Sequence, residues 1–95
     1  MKLEEIVALS VKHNVSDLHL CSDSPPRWRR SGRLEPAPFP PPDVEALLKA
    51  WLNDEQQGAW WANGQVDFAV TLTGGQRLRG SAFKHMHGVS IALRL

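Results

Sequence analysis

Cysteine and long apolar runs are scarce in this sequence of 95 residues, and each shortage excludes a class of protein. The single cysteine, Cys21, excludes an internal disulfide and favours a reducing, cytoplasmic setting. No run approaches the roughly 18 consecutive apolar residues that a membrane-spanning helix needs. The first residues also lack the apolar segment of a signal peptide. Any association with a membrane is therefore expected to come through partners.

An excess of charge of one sign is also lacking, because 11 lysines and arginines stand against 10 aspartates and glutamates. A dedicated nucleic-acid-binding domain is usually more basic. The sequence contains no G-x-x-x-x-G-K-[ST] string, the glycine-rich loop that holds nucleotide phosphates and Mg²⁺ in many ATPases. We therefore expect no nucleotide hydrolysis by this chain alone. Its length suits one domain with one core.

Hydrophobic periodicity predicts an α+β domain. Apolar residues at helical spacing predict helices over 2–13, 44–52 and 55–61. Alternation of apolar and polar residues predicts strands over 16–21, 27–30, 33–35, 66–72, 76–84 and 89–95. Residues 36–42 hold five of the seven prolines and are expected to form a stiff connector. This order of elements predicts an antiparallel sheet with helices packed on one face.

Several strings in the chain resemble a known family. Ser16-Asp17-Leu18-His19-Leu20 follows the first predicted helix, and Arg77-Leu78-Arg79-Gly80-Ser81-Ala82-Phe83 precedes the closing Leu93-Arg94-Leu95. In this order, over nearly the whole chain, they resemble the N-terminal region of PilT-like ATPases of type IV pili and type II secretion. The resemblance implies a PAS-like N-terminal domain, here residues 1–95, ahead of a RecA-like ATPase domain outside this sequence. We expect the chain to be a fragment cut at that boundary.

The same resemblance implies a role for three arginines. In such ATPases nucleotide lies between the two domains, and the N-terminal domain offers arginines to its phosphates. Arg79 and Arg94 match those positions, and Arg77 shares a strand face with Arg79. Guanidinium groups stay charged and bind phosphate bidentately. Without the resemblance, a solvated sheet face would be the simpler interpretation of these arginines.

Cofactor and partners are expected from the resemblance alone. ATP would be bound by the full-length protein at the interface with the ATPase domain of an adjacent subunit in a homo-hexamer. Pilus or secretion platform proteins at the inner membrane would be further partners, and no nucleic acid is expected. Met86-His87-Gly88 departs from the family's frequent Asn-Arg-Gly, and Ser90 stands where secretion ATPases often have arginine. Two possible phosphate contacts are therefore missing or replaced by a titratable histidine.

Other patterns allow different chemistry. The alternative function is a single-stranded nucleic-acid-binding module in which Trp28 is a stacking platform among Arg27, Arg29, Arg30 and Arg33. A small-ligand sensor is a third hypothesis, although no polar set converges on a pocket. A zinc site would need His19, Cys21, His85 and His87, but their spacing matches no known finger and no metal is expected.

No catalytic constellation is predicted. Asp17 and His19 lie near Ser16 and Ser22, but strand alternation is expected to direct them to different neighbours. Of the adjacent Trp60 and Trp61, one is expected to point outward and to suit a subunit contact.

Overall fold

Three helices and six strands make up the described part of the chain. The computed structural model describes residues 3–72, 74–86 and 88–95. The helices are α1 (Leu3–Lys12), α2 (Val44–Trp51) and α3 (Asp54–Asn63). The strands are β1 (Val15–Cys21), β2 (Arg27–Arg30), β3 (Arg33–Pro36), β4 (Gln65–Thr71), β5 (Arg77–His85) and β6 (Gly88–Arg94). Each predicted helix and strand is present, with bounds displaced by one or two residues.

The first helix buries one side and ends where the sequence predicts. Ile6, Val7 and Ser10 are buried, and the Ser10 hydroxyl donates to the Ile6 carbonyl at 2.7 Å, so this buried polar group is satisfied. Asn14 then adopts a left-handed φ of 59°, a conformation that asparagine tolerates better than most residues. β1 begins at the next residue, Val15.

The second and third helices begin at side-chain caps. Asp43 accepts from the Ala46 amide at 3.1 Å at the start of α2. Asn53 and Gln56 form a reciprocal capping box at α3, with bonds of 2.8 and 2.9 Å. Gly64 ends α3 with a φ of 71°. Asn53 is therefore the N-terminal cap of α3.

The six strands form one antiparallel sheet in the order β3-β2-β1-β6-β5-β4. The N-terminal hairpin of β2 and β3 therefore joins the C-terminal meander through β1, which pairs with β6 along its length. For example, Leu18 lies opposite Leu93, and Cys21 lies opposite Ser90. This pairing brings the SDLHL string beside the closing strand.

The core lies between one face of the sheet and the helices. Its fully buried members from the strands include Leu18, Leu20, Leu78, Ile91 and Leu93. The helices contribute residues such as Ile6, Val44 and Leu48, and the proline-rich connector contributes Phe39. The predicted α+β fold, an antiparallel sheet with helices on one face, is confirmed.

Close packing within this core depends on one glycine. A Cβ on Gly80 would lie 2.5 Å from Cζ of Phe68, the residue opposite it on β4. The absence of a side chain at Gly80 therefore lets the Phe68 ring pack close to the backbone of β5. Within the residues that the model describes, no helix is both long and apolar enough to cross a membrane.

Candidate functional site

The sheet face away from the core carries most of the polar side chains of the central strands. Because alternate residues of a strand point to opposite faces, burial of Leu18, Leu78 and Leu93 places their neighbours on the other side. Asp17 on β1, Arg77 and Arg79 on β5 and Arg94 on β6 share this face, which we call the open face. The antiparallel register then sets which of them are adjacent.

Two of the predicted arginines are directly opposite each other. Arg79 and Arg94 are register partners across β5 and β6, and Asp17 is the partner of Arg94 on the other side. Arg77 lies two residues from Arg79 on the same strand and pairs with Thr71 of the edge strand β4. The structure thus brings together all three arginines that the sequence singled out.

The three arginines line a groove on the open face with a volume of about 610 Å³. Asp17 and Asp67 are the carboxylates that line the groove. Ser81 of β5 and Ala92 of β6 also line it. Three fixed positive charges against two carboxylates give the groove a net positive charge. Such a surface can bind an anion with several acceptor oxygens, since each guanidinium offers a fork of donors.

Asp17 makes two polar contacts within the described residues. Its Oδ2 accepts from the Ser16 hydroxyl at 2.7 Å, and its Oδ1 lies 3.7 Å from Nε of Arg94. The expectation that Ser16 and Asp17 point to different neighbours is wrong. A register irregularity between Val15 and Asp17 interrupts the regular alternation there, and Ser16 turns toward the carboxylate. The sequence signal for this contact is the adjacent Ser16 and Asp17 at the start of β1, shortly after the turn at Asn14.

Asp67 is a member of the groove that the sequence analysis did not identify. It lies opposite Ser81, and the Ser81 hydroxyl donates to its Oδ1 at 2.7 Å. The pairing of β4 with β5 places the Asp67 side chain on the same face of the sheet as Arg77 and Arg79. The signal that could have found it was therefore the cross-strand register, not a local motif.

Ser90, one of the two departures from the family pattern, lies on β6 opposite Cys21. Ser90 is buried, and its hydroxyl oxygen lies 3.3 Å from Sγ of Cys21. His87, the other departure, lies outside the described residues. His87 is also one of the four residues that a zinc site would need, and the others are His19, Cys21 and His85. Among the residues that the model describes, no group of three or more potential ligands could hold a metal ion.

The alternative nucleic-acid site is wrong in its central residue. Trp28 is only 4% exposed, lies opposite Leu18 and belongs to the core. Its Nε1 donates to Oε1 of Glu35 at 3.2 Å, and its ring meets Phe39 edge-on. Arginines on both sides of Trp28 therefore reflect strand alternation, in which Trp28 points inward. A buried ring offers no surface on which a base could stack.

The adjacent tryptophans of α3 divide as the sequence predicts. Trp61 is 79% exposed, whereas Trp60 packs partly against the core. The Lys84 ammonium lies 5.0 Å from the Trp60 ring centre and 4.7 Å from that of Trp61. This lysine covers part of both rings. The ring centre of Trp51 lies 5.7 Å from that of Phe68, and Trp51 is partly buried against the core.

The fold and the open face define an α+β sheet domain with helices on one side and an uncovered, arginine-bearing face on the other. A scan against protein-family models finds no match. Individual proteins, in contrast, are similar to this chain over its whole length or nearly so. The chain is 66% identical over 95 residues to YggR of Escherichia coli K12, and 32% identical over 97 residues to the Pseudomonas aeruginosa type IV pilus retraction ATPase PilT.

Solved structures agree with these relatives. The fold matches the pilus retraction motor PilT with bound ADP at a TM-score of 0.87 and 30% identity, over the whole of this chain. It matches the Legionella pneumophila ATPase DotB at a TM-score of 0.76 over 97% of this chain, and at 17% identity this second match shows the fold alone. Over its whole length the chain therefore matches, in sequence and in fold, the N-terminal domain of a PilT-like ATPase. It spans 29% of the length of YggR and 28% of that of PilT.

Proposed function

We propose that this chain is the nucleotide-contacting and assembly domain of a larger motor ATPase that drives type IV pilus movement or type II secretion. Residues 1–95 form its N-terminal domain, and a RecA-like ATPase domain supplies the phosphate-binding loop that this sequence lacks. Arg79 and Arg94, with Arg77 beside them, contact the phosphates of ATP bound by the full-length protein. The chain alone does not hydrolyse ATP.

The observation that carries this proposal is the direct opposition of Arg79 and Arg94 in an uncovered groove. Like charges on directly opposed strand residues destabilise a sheet, so their presence favours a role that needs both. A phosphate group offers oxygens to each guanidinium and would offset the repulsion. The 30% identity to a motor solved with bound ADP adds independent support.

Assembly would bring the groove to its ligand. The open face is not covered by the helices of this chain, and a neighbouring ATPase domain in a homo-hexamer would cover it and enclose the nucleotide. Platform proteins at the inner membrane would hold the motor on the cytoplasmic side. Exposed Trp61 with Lys84 lies on the helical side and is available for a separate subunit contact.

The test is ATP turnover by the full-length protein that contains this domain. Arg79→Ala and Arg94→Ala should each lower turnover by tenfold or more, as expected when a charge-assisted phosphate contact of about 1.5–3 kcal/mol is lost. Arg33→Ala is the matched control, since Arg33 is exposed on the edge strand β3 and does not line the groove. It should leave turnover unchanged. Unaltered turnover in both groove variants, with their folds intact, would reject the phosphate role.

A further inference from the structure

Asp17 stands beside the arginine that the proposed function places nearest to phosphate. Its Oδ1 lies 3.7 Å from Nε of Arg94, which is the closest guanidinium nitrogen. This distance exceeds that of a hydrogen bond, so the two groups interact as an ion pair. Because the approach is through Nε, the two terminal nitrogens of Arg94 are no closer to the carboxylate and are left for another acceptor.

This ion pair contributes little to the stability of the fold. The Arg94 side chain is 80% exposed, and exposed ion pairs are screened by water and salt. The Asp17 side chain, in contrast, is only 24% exposed and is fixed by the Ser16 hydroxyl at 2.7 Å. A fixed carboxylate thus lies next to a long side chain with many rotamers. The main consequence of the contact is that it restricts the rotamers of Arg94, and therefore the position of its guanidinium group.

The cross-strand register gives this restraint a direction. Arg94 is flanked by Arg79 on β5 and by Asp17 on β1, so it is repelled from one side and attracted from the other. Without Asp17, repulsion by Arg79 would favour Arg94 rotamers that extend into solvent, away from the groove. With Asp17, the Arg94 guanidinium is held close to the sheet surface while its terminal nitrogens stay available.

We propose that Asp17 is a positioning residue, which holds the Arg94 guanidinium at the groove so that its terminal nitrogens meet phosphate. This inference rests on the proposed function and adds to it a residue that does not itself touch nucleotide. A carboxylate in direct contact with phosphate would be repelled, whereas a carboxylate behind the arginine orders it beforehand. Ordering a side chain before the ligand arrives lowers the entropy cost of binding.

A double-mutant cycle in the full-length protein tests this role. Asp17→Asn should raise the KM for ATP about three- to fivefold, the size expected for one partly exposed ion pair. In an Arg94→Ala background, Asp17→Asn should have no further effect, because the residue through which it acts is gone. Asp54→Asn, which removes the same charge from an exposed residue of α3, is the matched control and should leave KM unchanged. Asp17→Glu keeps the carboxylate and should stay within about twofold of the parent.

NMR relaxation measured on the 95-residue chain distinguishes the positioning role of Asp17 from the proposed function. Relaxation of the Arg94 Nε–Hε group should show greater mobility in Asp17→Asn than in the parent, while Arg33 should not change. An unchanged Arg94 signal, or an equal effect of Asp17→Asn on KM with and without Arg94, would overturn the positioning role and leave the proposed function standing. If Arg94→Ala alone leaves ATP kinetics unchanged, Asp17 has no phosphate contact to position and the positioning role is wrong. If Arg79→Ala is also without effect, the proposed phosphate role is wrong as well.

Discussion

Arg79 and Arg94 lie directly opposite each other on β5 and β6, with both side chains on the open face of the sheet. Two guanidinium groups at such a position repel each other, and a sheet selected only for stability would place an opposite charge or a neutral residue at one of them. Local violations of this kind are typical of functional sites. The opposition of these two arginines is the structural basis of the function proposed above.

Replacement of Gly80 tests the packing that underlies the groove. In Gly80→Ala, the new Cβ would lie 2.5 Å from Cζ of Phe68 and 3.0 Å from Cδ2 of Leu93, so the core must shift. We expect the free energy of unfolding to fall by about 1–3 kcal/mol, as measured by urea denaturation. Gly58→Ala is the control, because a Cβ there has no neighbour within 4 Å and the residue is helical. It should raise stability by about 0.5–1 kcal/mol. Equal effects of the two substitutions would contradict this account of the core.

The capping box of α3 gives a second prediction. Asn53→Ala removes Oδ1, the acceptor of the Gln56 amide, and leaves in place the backbone amide of residue 53 that donates to Oε1 of Gln56. The expected loss is about 1 kcal/mol of unfolding free energy. Asn63→Ala, at the other end of the same helix, removes no described hydrogen bond and should change stability by less than about 0.5 kcal/mol. Thermal melting followed by circular dichroism compares the two variants, and a larger loss for Asn63→Ala would show that the cap is assigned to the wrong residue.

Trp28 and Trp61 should respond differently to the same substitution. Trp28→Phe deletes a buried indole nitrogen bonded to Glu35 and leaves space in the core, so about 1–2 kcal/mol of stability should be lost. Trp61→Phe alters a residue that is 79% exposed and should change stability by less than about 0.5 kcal/mol. Chemical denaturation of the 95-residue chain measures both. A neutral Trp28→Phe would mean that its ring is not part of the core.

Much of the fold could be predicted because local patterns carry it. The alternation of Asp17-Leu18-His19-Leu20 and the helical spacing of apolar residues over 2–13 each act over a few residues, and the structure contains the corresponding β1 and α1. The burial of Trp28 could also be predicted from the sequence. On a strand with one apolar residue between arginines, alternation places the apolar side chain inward and the arginines outward. The basic residues on both sides of Trp28 favour a surface interpretation of this string, and the structure shows instead that the ring is buried.

What could not be predicted depends on contacts between distant parts of the chain. The pairing of β1 with β6 joins residues that are far apart in sequence, from Asp17 with Arg94 to Cys21 with Ser90, and no local pattern specifies it. The contact between Asp17 and Arg94 follows from this pairing. The pair formed by Asp67 and Ser81 follows instead from the register of β4 with β5. The choice of Arg79 and Arg94 as site residues came from the resemblance, while the structure supplied their mutual position.

The most direct test of the central claim is a structure of the full-length protein with a non-hydrolysable ATP analogue. The account predicts guanidinium nitrogens of Arg79 and Arg94 within about 2.7–3.2 Å of phosphate oxygens, with Asp17 still beside Nε of Arg94. Nucleotide bound with both arginines facing solvent, or bound at a site remote from the open face, would contradict it.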